Sequence, residues 1–459
     1  MTHPLLAITS EAGGDALRAS KSSLSHIRAV KQLSQVLDCP ANWENVVEAI
    51  KARIVKSPKP WEDLRNASFS EDWIKRCLHG IETILIDDGL DGEDEVFDYT
   101  WHDQFTGSKC KRILRIEKVA EKIIDDVCVR LMSGEISVDK SDIEQTAFRM
   151  IVQKFDEAIR QALWDDEIVG FKSVICYRTG LNIGPNPLED DVQKELMAHL
   201  NDSDSPNNWC AFQRLDSLLL NSWIVHRTAT LIHETEGQHM KPFQFHTGLG
   251  DNDITLSLSS PSHLQAFIRQ YPKVPIVLLH ASYPFTKEAG YLASVYENVY
   301  ADIGEVFPQI SKEGQEKVLR EILEVCPTEK ILWSTDGHWF PETYLLAVIQ
   351  VREALEVVSK PATWMINTRD ILLNVIGTLG LCSTESVKRR TSGESNRKYT
   401  LQHLQHSLLI KFRTEILTNS ASGPPRSHVS NIRFEPAQDL LKSTSYDEIP
   451  PAAVSGLHI

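Results

Sequence analysis

Long apolar runs are missing from this chain: nothing in it approaches the roughly 18 consecutive apolar residues that a membrane-spanning helix needs. The opening residues Met1-Thr2-His3-Pro4-Leu5 lack the basic stretch and apolar core of a secretory signal. From these two absences we expect a cytoplasmic protein with no membrane partner. Positive charge is scarce too, with 48 Lys and Arg against 63 Asp and Glu and a formal net charge of −15. Phosphate backbones are bound by clustered cations, and the one dense basic run, Lys388-Arg389-Arg390, lies in a polar C-terminal stretch, so nucleic acid is not expected as a partner. The eight cysteines (Cys39, Cys77, Cys110, Cys128, Cys176, Cys210, Cys326, Cys382) include no close pair of the kind used by zinc ribbons and redox motifs, and are read as buried thiols.

What the chain does have is enough apolar material, 42% of 459 residues, for a large core, and one barrel with additions suits that length. Four short strand-like runs in the C-terminal half each end on a metal-binding or acidic residue: Phe243 to His246, Ile276 to His280, Val299 to Glu305 and Ile331 to Asp336. In the first, period-2 alternation puts Gln244 and His246 on one face, while Val277-Leu278-Leu279 and Ile331-Leu332-Trp333 read as fully buried strands. Each run is followed by helical spacing, as in Leu264, Phe267 and Ile268 behind the start signal Ser260-Pro261-Ser262. Strand and helix alternating about every 25 to 35 residues is the pattern of parallel βα units, whose closed form gathers the C-terminal strand ends at one mouth.

Runs at Thr83 to Ile86, Arg112 to Glu117 and Phe171 to Tyr177 supply three earlier strands, the last two separated by a long helix around Ile143 to Leu163. Seven strands result, and the remaining place for an eighth is His3 to Ile8. From Lys21 to about Gly80 the pattern is helical, with Leu24, Ile27, Val30, Leu33 and Leu37 on one stripe and a second helix from Trp43 to Val55. This block has no strand of its own and is read as an insertion that caps the barrel or carries a homo-oligomer contact. The expected layout is a barrel over residues 1–379, with the insertion at about 20–80, and a polar, mostly flexible tail over 380–459 that bears one apolar helical patch near Leu401 to Phe412.

His246, His280 and Asp336 form the central set, because a mononuclear metal site needs nitrogen and oxygen ligands converging from different strands with a position left for water. Taken singly, a His at a strand end is more often a hydrogen-bonded core residue. Arg178, in Tyr177-Arg178-Thr179-Gly180, either binds a substrate carboxylate or makes a salt bridge to Glu117 or Asp87. Asp87-Asp88-Gly89 reads first as a turn.

Four segments together resemble a known family: Phe245-His246-Thr247-Gly248-Leu249-Gly250-Asp251, Leu279-His280-Ala281-Ser282-Tyr283-Pro284, Tyr300-Ala301-Asp302-Ile303 and Trp333-Ser334-Thr335-Asp336-Gly337-His338-Trp339-Phe340-Pro341-Glu342. They resemble the amidohydrolase superfamily, and within it the amidohydrolase-related domain of fungal FluG-type proteins, which also occurs in front of a type I glutamine synthetase. The resemblance runs over about residues 3 to 375 and implies a (β/α)8 barrel with a divalent metal, zinc first and manganese second. It implies His246 as the ligand after strand 5, His280 as the substrate-polarising residue after strand 6, and Asp336 as ligand and proton acceptor after strand 8. Arg115, Glu117, Arg178 and His338 become substrate-side groups. The chain departs from the pattern at its start, where His3 takes the place of the second His of a His-x-His pair and Met1 that of the first, so strand 1 is largely missing and the metal set becomes His3, His246 and Asp336. No glutamine synthetase module is seen, and ligase activity is not expected.

The function implied is metal-dependent hydrolysis of a C–N or related bond in a small anionic substrate. The alternatives are a decarboxylase variant of the same site, and a non-catalytic FluG-like barrel with a regulatory or developmental binding role.

Overall fold

A computed structural model of the protein describes residues 22–55, 68–87, 89, 97–135, 142–200, 214–337 and 340–359. All of these fall within the first of the two units into which the chain divides, Met1–Leu409. His3, the candidate eighth strand and the whole of residues 380–459 lie outside the described residues.

Helix α1 (Leu24–Leu37) starts where the Ser23 hydroxyl accepts from the His26 amide, and it stops at Asp38, whose backbone turns left-handed at φ 54°. Its stripe of Val30, Leu33 and Leu37 packs with Val46 of α2 (Trp43–Lys51), and with Trp73 and Cys77 of α3 (Glu71–Cys77). This N-terminal block departs from the expectation of helices alone. α2 ends at Lys51, and Ile54–Val55 (β1) pairs antiparallel with Ser68–Phe69 (β2), because β-branched Ile54 and Val55 gain a ladder partner there.

The main sheet has seven strands, each hydrogen-bonded in parallel to the next in chain order: β3 (Leu85–Asp87), β4 (Lys111–Arg115), β5 (Ile168–Ser173), β6 (Phe243–Phe245), β7 (Ile276–Leu278), β8 (Val299–Asp302) and β9 (Ile331–Leu332). Helices α4 (Ile116–Met132) and α5 (Ile143–Trp164) join β4 to β5, and α6 (Ile175–Arg178), α7 (Glu189–Leu200) and α8 (Leu218–Glu234) join β5 to β6. The later crossovers carry α9 (Gln265–Gln270), α10 (Thr286–Val295) and α11 (Lys312–Leu323), and α12 (Pro341–Ser359) follows β9. This is an α/β fold of the (β/α)8 type in which seven strand positions are filled by described residues. The order follows from the sequence pattern: parallel neighbours require a crossover, and each crossover helix buries its apolar stripe on the strands it joins. Ala147, Ile151, Phe155, Ile159 and Ala162 form such a stripe on α5, and Phe155 meets Trp223 of α8 at 5.9 Å between rings.

Two strand ends differ from the sequence reading. β4 stops at Arg115, and Glu117 lies in the first turn of α4. β5 runs from Ile168 and stops at Ser173, while Ile175–Arg178 closes a helical turn. Both differences have one cause. The fully buried Glu117 carboxylate takes hydrogen bonds from the Ser173 hydroxyl (2.6 Å) and the Val174 amide (2.9 Å), and the same hydroxyl accepts from the Ile175 amide, so side-chain acceptors replace the ladder and bend the chain. Of the eight cysteines, Cys77, Cys110, Cys128, Cys176 and Cys326 are buried and Cys39 is half-buried. No described helix is long and apolar enough to cross a membrane.

Candidate metal centre

Three neighbouring strand ends build the site. On β6 the alternation sends Phe243 and Phe245 outward to the helices, Phe245 against Phe267 at 5.5 Å, and leaves Gln244 and His246 on the inner face. The His246 amide donates to the Ser173 carbonyl across the sheet at 3.2 Å. After β7 the Leu279 amide pairs with the Phe245 carbonyl, and His280, Ala281 and Ser282 then adopt left-handed backbone in succession, with φ of 68°, 53° and 48°. That costly turn is held by Thr247, whose hydroxyl donates to the Leu279 carbonyl at 2.6 Å and meets the Ser282 hydroxyl at 2.7 Å. Gly248, at φ 78°, lies so close to Ser282 and Tyr283 that a Cβ there would collide with their backbone. After β8, Asp302 accepts from the amides of His280 (3.3 Å) and Gly304 (3.0 Å) and from the Ser334 hydroxyl (3.0 Å), which ties the β7, β8 and β9 ends into one assembly.

Within this frame His246, His280 and Glu305 each offer a ligand atom, all within 4.8 Å of one another. Both histidines are 1% exposed, and their rings stand 4.5 Å apart. Nδ1 of His280 is 3.1 Å from Oε2 of Glu305, yet neither atom completes a hydrogen bond, and Nδ1 of His246 and Nε2 of His280 are likewise buried without a hydrogen-bond partner among the described residues. Four orphaned polar atoms at one point are unusual in a folded interior. Nε2 of His246 meets the Leu249 carbonyl at 2.7 Å, which fixes the proton on Nε2 and leaves the Nδ1 lone pair free to face the group.

The electrostatics agree with a cation-holding role. Burial pushes both imidazoles well below their usual value, helped at His280 by His246, so both are neutral, as ligands must be. Burial also raises Glu305 to about 8 and Asp302 to about 6. A cation between the two imidazoles and Glu305 would replace the Glu305 proton and take up one orphaned atom from each residue. Two nitrogens and one carboxylate oxygen suit a divalent ion such as zinc.

Beside this group lies a buried ionic cluster. Arg115 donates from Nη2 to Asp87 Oδ2 at 2.6 Å and from Nε to both Asp87 oxygens at 3.2 Å, and the Lys172 ammonium is 3.4 Å from the same carboxylate. Burial works against the Asp87 charge, but Arg115 and Lys172 prevail and hold this carboxyl well below the ordinary range. Burial lowers Lys172 to about 8 and raises Glu117 to about 7.

The structure thus brings His246 and His280 together, with Arg115 in the adjoining cluster. Asp336 sits half-buried on the loop after β9 with φ 49°, outside the His246, His280 and Glu305 group. Arg178 lies 3.7 Å from Glu121 and not on Glu117 or Asp87; Glu117 is engaged by the framework, and Glu342 accepts from the Trp73 indole at 2.6 Å. His3 and His338 lie outside the described residues. The sequence reading marked Glu305 as the end of a run without placing it among the ligands, quoted Asp302 only within a family segment, and gave Lys172 no role. The signal for Lys172 was a charged residue inside an otherwise apolar strand. Asp87 does make the expected turn, accepting from the Gly89 amide, and also reaches the cluster.

A parallel sheet in chain order, carrying a His-His-Glu group at the C-terminal strand ends, defines a barrel of the amidohydrolase type. Residues 238–379 match the family described as Amidohydrolase. The chain is 43% identical over 364 residues to protein fluG of Emericella nidulans, an alignment covering 78% of this chain and 39% of that protein. A protein of Lactobacillus casei ATCC 334, provisionally described as a metal-dependent hydrolase, shares the fold at a TM-score of 0.58 and 23% identity, over 82% of this chain and 88% of its own. The chain belongs to the amidohydrolase superfamily as a FluG-type domain, and it spans well under half the length of the fluG relative.

Proposed function

We propose that this domain is a metal-dependent hydrolase acting on a C–N or related bond of a small anionic substrate. The observation that carries the reading is the convergence of His246, His280 and Glu305 with buried, unpartnered donor atoms at three strand ends. A divalent ion held there, zinc first and manganese second, supplies the Lewis acidity that makes water nucleophilic near neutral pH and polarises a carbonyl. His246 presents Nδ1 because the Leu249 carbonyl holds the other nitrogen's proton, and the left-handed turn at His280 aims its ring at the same point. Asp302 holds the His280 and Gly304 amides in place and so sets the approach of Glu305. In this reading Asp336, on the loop after β9, accepts the proton, His3 adds a ligand, and Arg115 and His338 face the substrate.

The test is metal content per chain in purified protein, alongside a His246→Ala, Glu305→Ala double variant. About one equivalent of zinc or manganese in the parent chain, absent from the variant, supports the reading and directs a screen of amides and small acids. No uptake by the parent chain after incubation with excess ion rules out the hydrolase and leaves a binding protein.

A further inference from the structure

Tyr177 is a polar side chain beside the metal group that the framework leaves unused. The sequence pattern carries β5 through to this residue, but the bend that Glu117 imposes after Ser173 closes Ile175–Arg178 into one helical turn. That turn lays the Tyr177 ring against the His246 imidazole, with ring centres 4.3 Å apart and planes at 48°. The backbone is pinned on both sides. The Tyr177 amide donates to the Val174 carbonyl at 2.9 Å, and the Tyr177 carbonyl accepts from Arg214 at 3.2 Å. Arg214 is itself paired at 3.1 Å to Asp253, on the loop after β6.

The far end of the side chain has no such tie. Among the described residues the Tyr177 hydroxyl has no hydrogen-bond partner. A Cβ at Gly250 would fall 2.6 Å from this hydroxyl, 2.9 Å from Nε2 of His246 and against Ile254, so a glycine is required there by space and the hydroxyl stands alongside the imidazole. The plain reading of a half-buried tyrosine is a ring that packs and a hydroxyl that water solvates. Here the charge of Glu305 acts on the phenol, followed by that of Asp251, which places it toward the metal group and not on the outer wall. His246, His280 and Glu305 offer only lone pairs to their common centre, whereas a phenol is a neutral donor. A carbonyl oxygen brought to this centre needs a donor, and Tyr177 supplies one from the β5 side.

We propose that Tyr177 is a catalytic residue of this site, its hydroxyl donating a hydrogen bond to the carbonyl oxygen of the bond to be cleaved. The assignment rests on the hydrolase reading and deepens it: the scissile group carries a carbonyl, as an amide does. When water adds, a bond forms from its oxygen to the carbonyl carbon, the π pair moves to the carbonyl oxygen and the water proton passes to Asp336. The Tyr177 hydrogen bond strengthens on the charged oxygen, and the phenol keeps its proton. As the pair returns, the C–N bond breaks and the leaving nitrogen takes the proton from Asp336.

The experiment is calorimetric titration of acetohydroxamate, a zinc ligand with a carbonyl oxygen, into the zinc-loaded full chain and its Tyr177→Phe variant. That variant keeps the ring on His246 and loses only the hydroxyl. It is expected to bind acetohydroxamate at least about tenfold more weakly than the parent, as for loss of a hydrogen bond to a charged acceptor, and to bind zinc equally well. Acetohydroxamate should also shift tyrosine absorbance to the red in the parent and not in Tyr177→Phe, a signal that a packing role would not give. If Tyr177→Phe does not fold, Tyr177→Met is read in the same way. Equal acetohydroxamate affinity in parent and variant, or no acetohydroxamate binding by the zinc-loaded parent, overturns the assignment. An equal loss of zinc affinity also overturns it, by making the hydroxyl a support of the metal group itself. Failure of the parent chain to take up zinc defeats the hydrolase reading and this assignment together, whereas normal uptake with equal probe affinity removes Tyr177 alone.

Discussion

Glu305 has φ 55°, and His280, Ala281 and Ser282 share that left-handed region, so four residues carrying side chains hold a backbone conformation that costs each of them on the order of 1 kcal/mol or more. Asp302 and Thr247 hold the strain in place through their hydrogen bonds, and its effect is to turn Glu305 and His280 toward one point. Glu305→Gln keeps the shape and loses the charge, so it should fold normally and bind zinc at least about tenfold more weakly, as judged by competition with a chromogenic chelator. Unchanged affinity would remove Glu305 from the ligand set. Glu117 yields a prediction of another kind. Its carboxyl is raised from 4.5 to about 7, so the folded chain keeps a proton that the unfolded chain releases. This carboxyl's contribution to stability is therefore fully present below pH of about 4.5 and is lost as pH rises through about 7. Glu117→Gln can still accept from Ser173 and Val174 but does not titrate. Its stability relative to the parent should rise by on the order of 2 to 3 kcal/mol between pH 5 and pH 8, measured by urea denaturation. A constant difference across that range would show that Glu117 stays ionised.

At the scale of the element, each βα unit joins a strand that the sequence states openly to a helix end that it conceals. Ile276–Leu278 and Val299–Asp302 were legible because β-branched and apolar residues run together between turn signals. The ends were not, because they depend on partners far away in sequence. Lys241, just before β6, donates to the Ala162 and Asp165 carbonyls at the end of α5, both at 2.6 Å. Lys330, just before β9, does the same for Ala293 (2.8 Å) and Tyr296 (2.6 Å) at the end of α10. In both cases an ammonium completes the orphan carbonyls of a helix and anchors the start of the second strand after it. Lys330→Met should lower the unfolding free energy by about 1 to 3 kcal/mol, and a loss under 0.5 kcal/mol on the same scale would show that solvent satisfies those carbonyls equally well. The bend after Ser173 was hidden for a similar reason, since Glu117, from the preceding strand's crossover, replaces the ladder there.

For the molecule as a whole, the N-terminal block is fastened to the barrel by polar contacts as well as by its apolar core. Arg28 donates to Gln315 and Glu353, each at 2.6 Å, the Gln350 amide donates to Gln32 at 2.8 Å, and the Trp73 indole donates to Glu342 in the first turn of α12. Trp73→Phe keeps most of the packing but leaves the buried Glu342 carboxylate without that donor. It should cost about 1 to 3 kcal/mol and loosen the block first, seen as faster amide exchange in α1 and α3 than in β6 to β8. Uniform exchange across both regions would mean that block and barrel unfold as one. The helical character of this block was legible from the spacing of Leu24 to Leu37. The β1 and β2 pair was not, because two-residue strands leave no periodicity to read.

The sequence by itself determined the alternation of strand and helix, the chain order of seven strands, and two of the three residues that converge, because burial on both faces writes strands as apolar runs and a polar residue ending such a run marks the barrel mouth. Only the tertiary structure decided that Glu305 joins His246 and His280, and that Lys172 shares Asp87 with Arg115. The reason is physical. Which side chains meet at a mouth depends on left-handed turns and on the inward layer set by register between strands, and both are fixed by hydrogen bonds between residues far apart in the chain.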